Sequence, residues 1–133
     1  MGATVPTILL VEGDDFLRGF LTRVLRECGC AVQGVSNYKE GLTQAQFFCF
    51  SLCLIDVTLP DGSGIDLCRQ IHAINGGVPV VICYGGDGHD RMALQAEAQA
   101  SLKIGDYMTY QLHRLIDQLV GKGTGVGQPG CCA

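Results

Sequence analysis

The sequence predicts an α/β fold in which helices cover both faces of a parallel sheet. Three observations carry this: short continuous apolar runs, helical periodicity in the segments between them, and Gly, Pro, Asn or Asp at the junctions. Continuous apolar runs suit strands buried on two faces, and right-handed crossovers then place helices on both sides of the sheet. With 133 residues, 47% hydrophobic and 17% charged, the chain has the size and balance of one domain with a substantial core.

Each element follows in order. Thr7 to Glu12 (TILLVE) reads as the first strand. Phe16, Leu17, Phe20, Leu21, Val24 and Leu25 recur at helical offsets, with Asp14 or Asp15 as a cap and Gly29 beyond the end. Ala31 to Val35 is a second strand, and Ser36 caps a weaker helix through Gln46 that contains Gly41. Phe50 to Val57 (FSLCLIDV) is the third strand, Pro60-Asp61-Gly62 a turn, and Ile65 to Ile74 the third helix, broken by Asn75-Gly76-Gly77. Val78 to Tyr84 is the fourth strand, with Pro79 near its start. A helix over Arg91–Ala98, a short fifth strand from Ala100 to Ile104 and an amphipathic helix from about Met108 to Val120 complete the pattern. The domain thus spans residues 7–120, with 1–6 as an N-terminal tail and the Gly-rich 121–133 as linker or tail.

A net charge of −4 gives no electrostatic ground for direct binding to nucleic acid or to an anionic membrane. No apolar run reaches the roughly 20 residues of a bilayer span, and no basic segment precedes an apolar stretch near Met1, so the expected location is the cytoplasm. Of eight cysteines, Cys49, Cys53, Cys68 and Cys83 lie in apolar runs, where free thiols behave as small hydrophobes. Cys28-Gly-Cys30 and Cys131-Cys132 lack the spacing and companion histidines of a zinc site. The expectation is that none of them serves a metal or a disulfide.

In open α/β sheets, chemistry gathers at the carboxyl ends of the strands. Glu12-Gly13-Asp14-Asp15 follows the first strand, Asp56 ends the third, Tyr84 the fourth and Lys103-Ile104 the fifth. Crowded carboxylates repel, and a hard divalent cation relieves that repulsion. An aspartate above such a metal can attack a phosphoryl group and form an acyl phosphate.

The segments ILLVEGDDFLR, LCLIDVTLPDGSGIDLCRQI and VPVVICY resemble the receiver domain of two-component response regulators, over about residues 7 to 120. The resemblance implies a flavodoxin-like sheet of order 2-1-3-4-5. It makes Asp56 the candidate phospho-acceptor from a histidine kinase and Glu12 and Asp14, with Asp56, a weak magnesium site. The departures are local. Gly13 stands where the family's direct metal ligand belongs, Tyr84 replaces a Thr or Ser, and Ser101 or Ala100 replaces the aromatic switch residue. The family lysine falls on Ile104 in an ungapped reading, or on Lys103 if the preceding loop is one residue shorter.

These substitutions predict a degenerate receiver, a protein-interaction module and not an enzyme. The alternative is a receiver still phosphorylated on Asp56 with Mg2+. Other chemistries on this fold fit poorly: EGDDFL is too acidic for a flavodoxin phosphate loop, and Thr58 stands where a dehalogenase-like phosphatase needs a second Asp. The resemblance further implies signalling partners, a C-terminal output domain in a longer parent chain, and a homodimer face. That face is made by the fourth helix, fifth strand and last helix, including Arg91, Met92, Leu94, Gln95, Lys103, Tyr107, His113, Arg114 and Asp117.

Overall fold

A computed structural model describes residues 5–86 and 98–121. The strands are β1 (Thr7–Val11), β2 (Ala31–Val35), β3 (Leu52–Asp56), β4 (Thr58–Leu59), β5 (Gly62–Ser63), β6 (Val80–Tyr84) and β7 (Ala100–Lys103). The described helices are α1 (Asp15–Glu27), α2 (Tyr38–Phe47), α3 (Gly64–Ile74) and α4 (Met108–Leu119). Five strands form one parallel sheet in the order β2-β1-β3-β6-β7. Leaving aside the two-residue hairpin strands β4 and β5, this is the expected order 2-1-3-4-5. The flavodoxin-like architecture is therefore present.

Strand side chains alternate between faces, and the two cores follow that alternation. Ile8, Leu10, Leu52, Leu54, Val81, Cys83 and Leu102 pack with Leu21, Val24 and Leu25 of α1 and Leu112 and Ile116 of α4. On the other face Leu9, Val11, Cys53, Ile55, Val80, Ile82 and Tyr84 pack with Leu67, Cys68 and Ile71 of α3 and with Tyr38 and Leu42 of α2. Gly41 admits this fit, because a Cβ there would stand 2.9 Å from Val11 Cγ2 and 3.1 Å from Leu67 Cδ2. The glycine that weakens α2 locally is what lets it sit on the sheet.

Several boundaries differ from the sequence reading. Asn37, not Ser36, caps α2: its Oδ1 accepts from Glu40 N at 2.8 Å. Asp61, from the β4–β5 turn, accepts from Tyr38 N at 2.6 Å and Lys39 N at 3.1 Å. A cap contributed from 22 or 23 residues away leaves no local signature. β3 starts at Leu52, since Ser51 instead closes onto β1 through Ser51 N to Thr7 O (2.8 Å) and Thr7 N to Ser51 Oγ (3.3 Å). Phe16 is 83% exposed and does not join the buried stripe of α1. Cys53, Cys68 and Cys83 are buried free thiols as expected, but Cys49 is disulfide-bonded. Among the described residues no helix is long and apolar enough to cross a membrane. The expected helix over 91–98 lies, apart from Ala98, outside the described residues, and so do Arg91, Met92, Leu94, Gln95, Cys131 and Cys132 of the sequence reading.

A crevice at the carboxyl ends of the strands

Glu12 follows β1, its amide bonded to Val35 O at 3.0 Å, and it is only 2% exposed. Its Oε2 accepts from Asp14 N at 3.1 Å, while Oε1 is buried without a hydrogen-bond partner within normal reach. Burial is the largest influence on this carboxyl. The Asp14 amide opposes it, and the adjacent Asp56, through hydrogen bonding and charge, together with the charge of Asp14, reinforces it; the result is a carboxyl raised to about 7. Burial above all, and then the charge of Asp56, favours the protonated form of Glu12.

Asp56 ends β3 half-buried, with Oδ1 accepting from Thr58 N at 3.1 Å. Gly64 lies so close behind it that a Cβ there would overlap the Asp56 carbonyl oxygen, and Gly64 N donates to Val57 O at 2.8 Å. The crevice floor also includes Cys83, which the sequence reading did not single out. Burial, followed by the charges of Glu12 and Asp56, pushes its thiol up. The available signal was parity, since Cys83 is paired with Asp56 in the sheet register.

The other sequence candidates are placed unevenly. Asp14 is the N-cap of α1, its Oδ2 accepting from Leu17 N at 2.7 Å. A Cβ at Gly13 would stand 3.0 Å from Pro60 Cδ and 3.4 Å from Ser36 O, so glycine allows the hairpin to close over this loop. Arg18 braces the same loop, donating to Glu12 O at 2.8 Å and pairing with Asp15 at 2.6 Å.

Ala100, Leu102 and Ile104 all belong to the α1–α4 side of the sheet. Glu12 and Asp56 continue the Ile8/Leu10 and Leu52/Leu54 parity and so share that side. Lys103 ends β7 exposed, opposite Tyr84 in the register. Ile104 packs against the α1–α4 cluster, its amide donating to Tyr84 O at 2.7 Å. Tyr84 is 5% exposed and belongs to the α2–α3 core.

A magnesium ion takes six oxygen ligands with near-octahedral geometry, usually one or two from carboxylates. Glu12, Asp14 and Asp56 do not converge to that end, and among the described residues no group of three or more His, Cys, Asp or Glu side chains is placed to hold a metal ion. Glu12 Oε2 takes the Asp14 amide, and Asp14 Oδ2 caps α1.

Comparison with known proteins agrees with the fold and the motif. The response regulator receiver domain family matches residues 8–105. The cell cycle transcriptional regulator CtrA of Caulobacter vibrioides is 27% identical over 115 residues, covering 86% of this chain and 47% of that protein. The two-component response regulator PhoP of Pseudomonas aeruginosa is 26% identical over 122 residues, covering 91% of this chain and 54% of its own length. The chain thus spans about half the length of these curated relatives. Among solved structures, a CheY-like receiver domain protein of Methanospirillum hungatei superimposes with a TM-score of 0.78 at 24% identity, covering 87% of this chain and 94% of that one. The receiver domain of the sensor histidine kinase PA1611 of Pseudomonas aeruginosa, solved with magnesium in its active-site cleft, gives 0.80 at 23% identity, covering 89% and 99%. By its fold and by the family match over most of its length, this chain belongs to the response regulator receiver family.

Proposed function

We propose that this receiver works by binding partner proteins through a crevice that has lost the standard phosphorylation and activation groups. The observation that supports it most is the set of acids around Asp56: Asp14 is engaged as the N-cap of α1, and Glu12 is 2% exposed with its Oε2 taken by the Asp14 amide. Gly13 offers no ligand atom, and Asp14 caps α1. A phosphate delivered to Asp56 would meet too few oxygens to hold the cation that neutralises it. Tyr84, buried in the α2–α3 core, is poorly suited to the small hydroxyl movement that a Thr or Ser would make there. The partners in this reading are a histidine kinase or other signalling proteins, a C-terminal output domain in a longer parent chain, and a second copy through β7 and α4.

The test is incubation with acetyl phosphate and magnesium, read by intact mass. The expected outcome is no phosphoprotein and no saturable magnesium shift in NMR at millimolar metal. Efficient labelling that vanishes in Asp56→Asn would overturn this reading in favour of a phosphorylated receiver.

A further inference from the structure

The junction of α1 and β2 assembles reactive side chains that the Asp56 crevice does not use. Cys28 is the C-cap of α1, Gly29 adopts φ +89, and Cys30 follows. Gly29 N donates to Arg26 O at 2.9 Å and Cys30 N to Leu25 O at 3.1 Å, so the backbone reverses over a single residue. Both thiols turn toward the same apolar cluster: Cys30 is buried in it, and Cys28 packs against it while remaining partly exposed. α4 supplies the companion histidine that sequence spacing does not reveal. His113 Nδ1 stands 3.4 Å from Cys28 Sγ, 85 positions away along the chain.

Both cysteines are free. Burial, and then the charges of Asp117 and Glu27, push the Cys28 thiol up; burial, and then Cys28 itself, push up Cys30. Burial thus favours the thiol form of both, and the Cys28 Sγ–His113 Nδ1 contact offers the Cys28 proton a place to go. Residues two apart have Cα atoms at most about 7 Å apart when the chain is extended. The reversal at Gly29 shortens that span, and a disulfide closes over Cα separations of about 4.4 to 6.8 Å.

We propose that Cys28 and Cys30 form a thiol–disulfide exchange site for low-molecular-weight disulfides, with Cys28 attacking, His113 accepting its proton and Cys30 resolving. His113 Nδ1 takes the Cys28 proton as Sγ attacks one sulfur of the disulfide RSSR. That S–S bond breaks, a Cys28–S–S–R bond forms, and the departing thiolate takes up the proton as RSH. Cys30, giving up its own proton, then attacks Cys28 Sγ and displaces the second RSH. Two protein thiols are oxidised to one disulfide, and RSSR is reduced to two RSH. Oxidation draws Cys28 Sγ into the disulfide and away from its contact with His113, so the meeting of α1 and α4 reads the redox state.

Glutathione disulfide is the probe. Cleavage after Arg26 and Lys39 isolates Glu27–Lys39, which contains Cys28 and Cys30 and no other cysteine. After incubation of the full chain and acid quench, this peptide is expected to be lighter by two hydrogens. Cys30→Ser should hold glutathione on Cys28, and His113→Ala should slow exchange by roughly tenfold or more. The proposal is overturned if the wild-type peptide stays a dithiol, or closes no faster than the same synthetic peptide free in solution. It is equally overturned if Cys28→Ser and Cys30→Ser trap glutathione alike, or if His113→Ala leaves the rate unchanged. The wild-type measurement requires no variant to fold.

Discussion

Glu12→Gln offers a direct measure of the carboxyl pair. Glu12 is raised from 4.5 to about 7 in the folded chain. The folded state therefore holds a proton that the unfolded chain releases near pH 4.5, and stability must fall as pH rises between those two values. At roughly 1.4 kcal/mol per pKa unit, the loss from pH 5 to pH 8 is about 2 to 3 kcal/mol. Glutamine has the shape of protonated glutamic acid and does not titrate, so the variant lacks this component. In urea, with a slope of about 1 to 3 kcal/mol/M, the wild-type midpoint should drop by on the order of 1 M more than the variant's across this interval. The assay is a pair of urea titrations of each protein at pH 5 and pH 8, taking the difference of differences so that other titrating groups cancel. Asp56→Asn should shrink the same interval, because it removes the neighbouring charge that keeps the proton on Glu12. Parallel losses in wild type and Glu12→Gln would refute the reasoning.

Two further outcomes test how the crevice is framed. Gly64→Ala, which drives a methyl into the Asp56 carbonyl, should cost at least about 3 kcal/mol by thermal melting, at the upper end of overpacking; Gly41→Ala meets side chains that can shift and should cost roughly 1 to 3 kcal/mol despite alanine's better helix propensity. Asp61 is fully exposed; desolvation nudges its carboxyl upward, but the amides of Tyr38, Lys39 and Asp61 itself outweigh this and hold it below the usual 3.8. Its contribution is thus present above that pH and lost as pH falls through the folded value. Asp61→Asn should lower the melting temperature at pH 7, and the gap from wild type should close in acid.

The local sequence determined the alternation of strands and helices, the placement of Asp56 at a strand end, and the left-handed turn at Gly29, because periodicity, caps and glycine act over a few neighbouring residues. It also supplied the family motif. What it left open were choices between positions that differ by one residue or by one face. The step from Lys103 to Ile104 is such a choice, and only pairing with β6 sets the register that puts Lys103 opposite Tyr84 and buries Leu102. The tertiary structure likewise decided that Asp61 caps α2, that Asp14 caps α1, and that His113 meets Cys28. The proton on Glu12 belongs to the same class. A carboxyl's affinity for it depends on the water it loses and the charges it faces, and both exist only after strands from distant parts of the chain have come together.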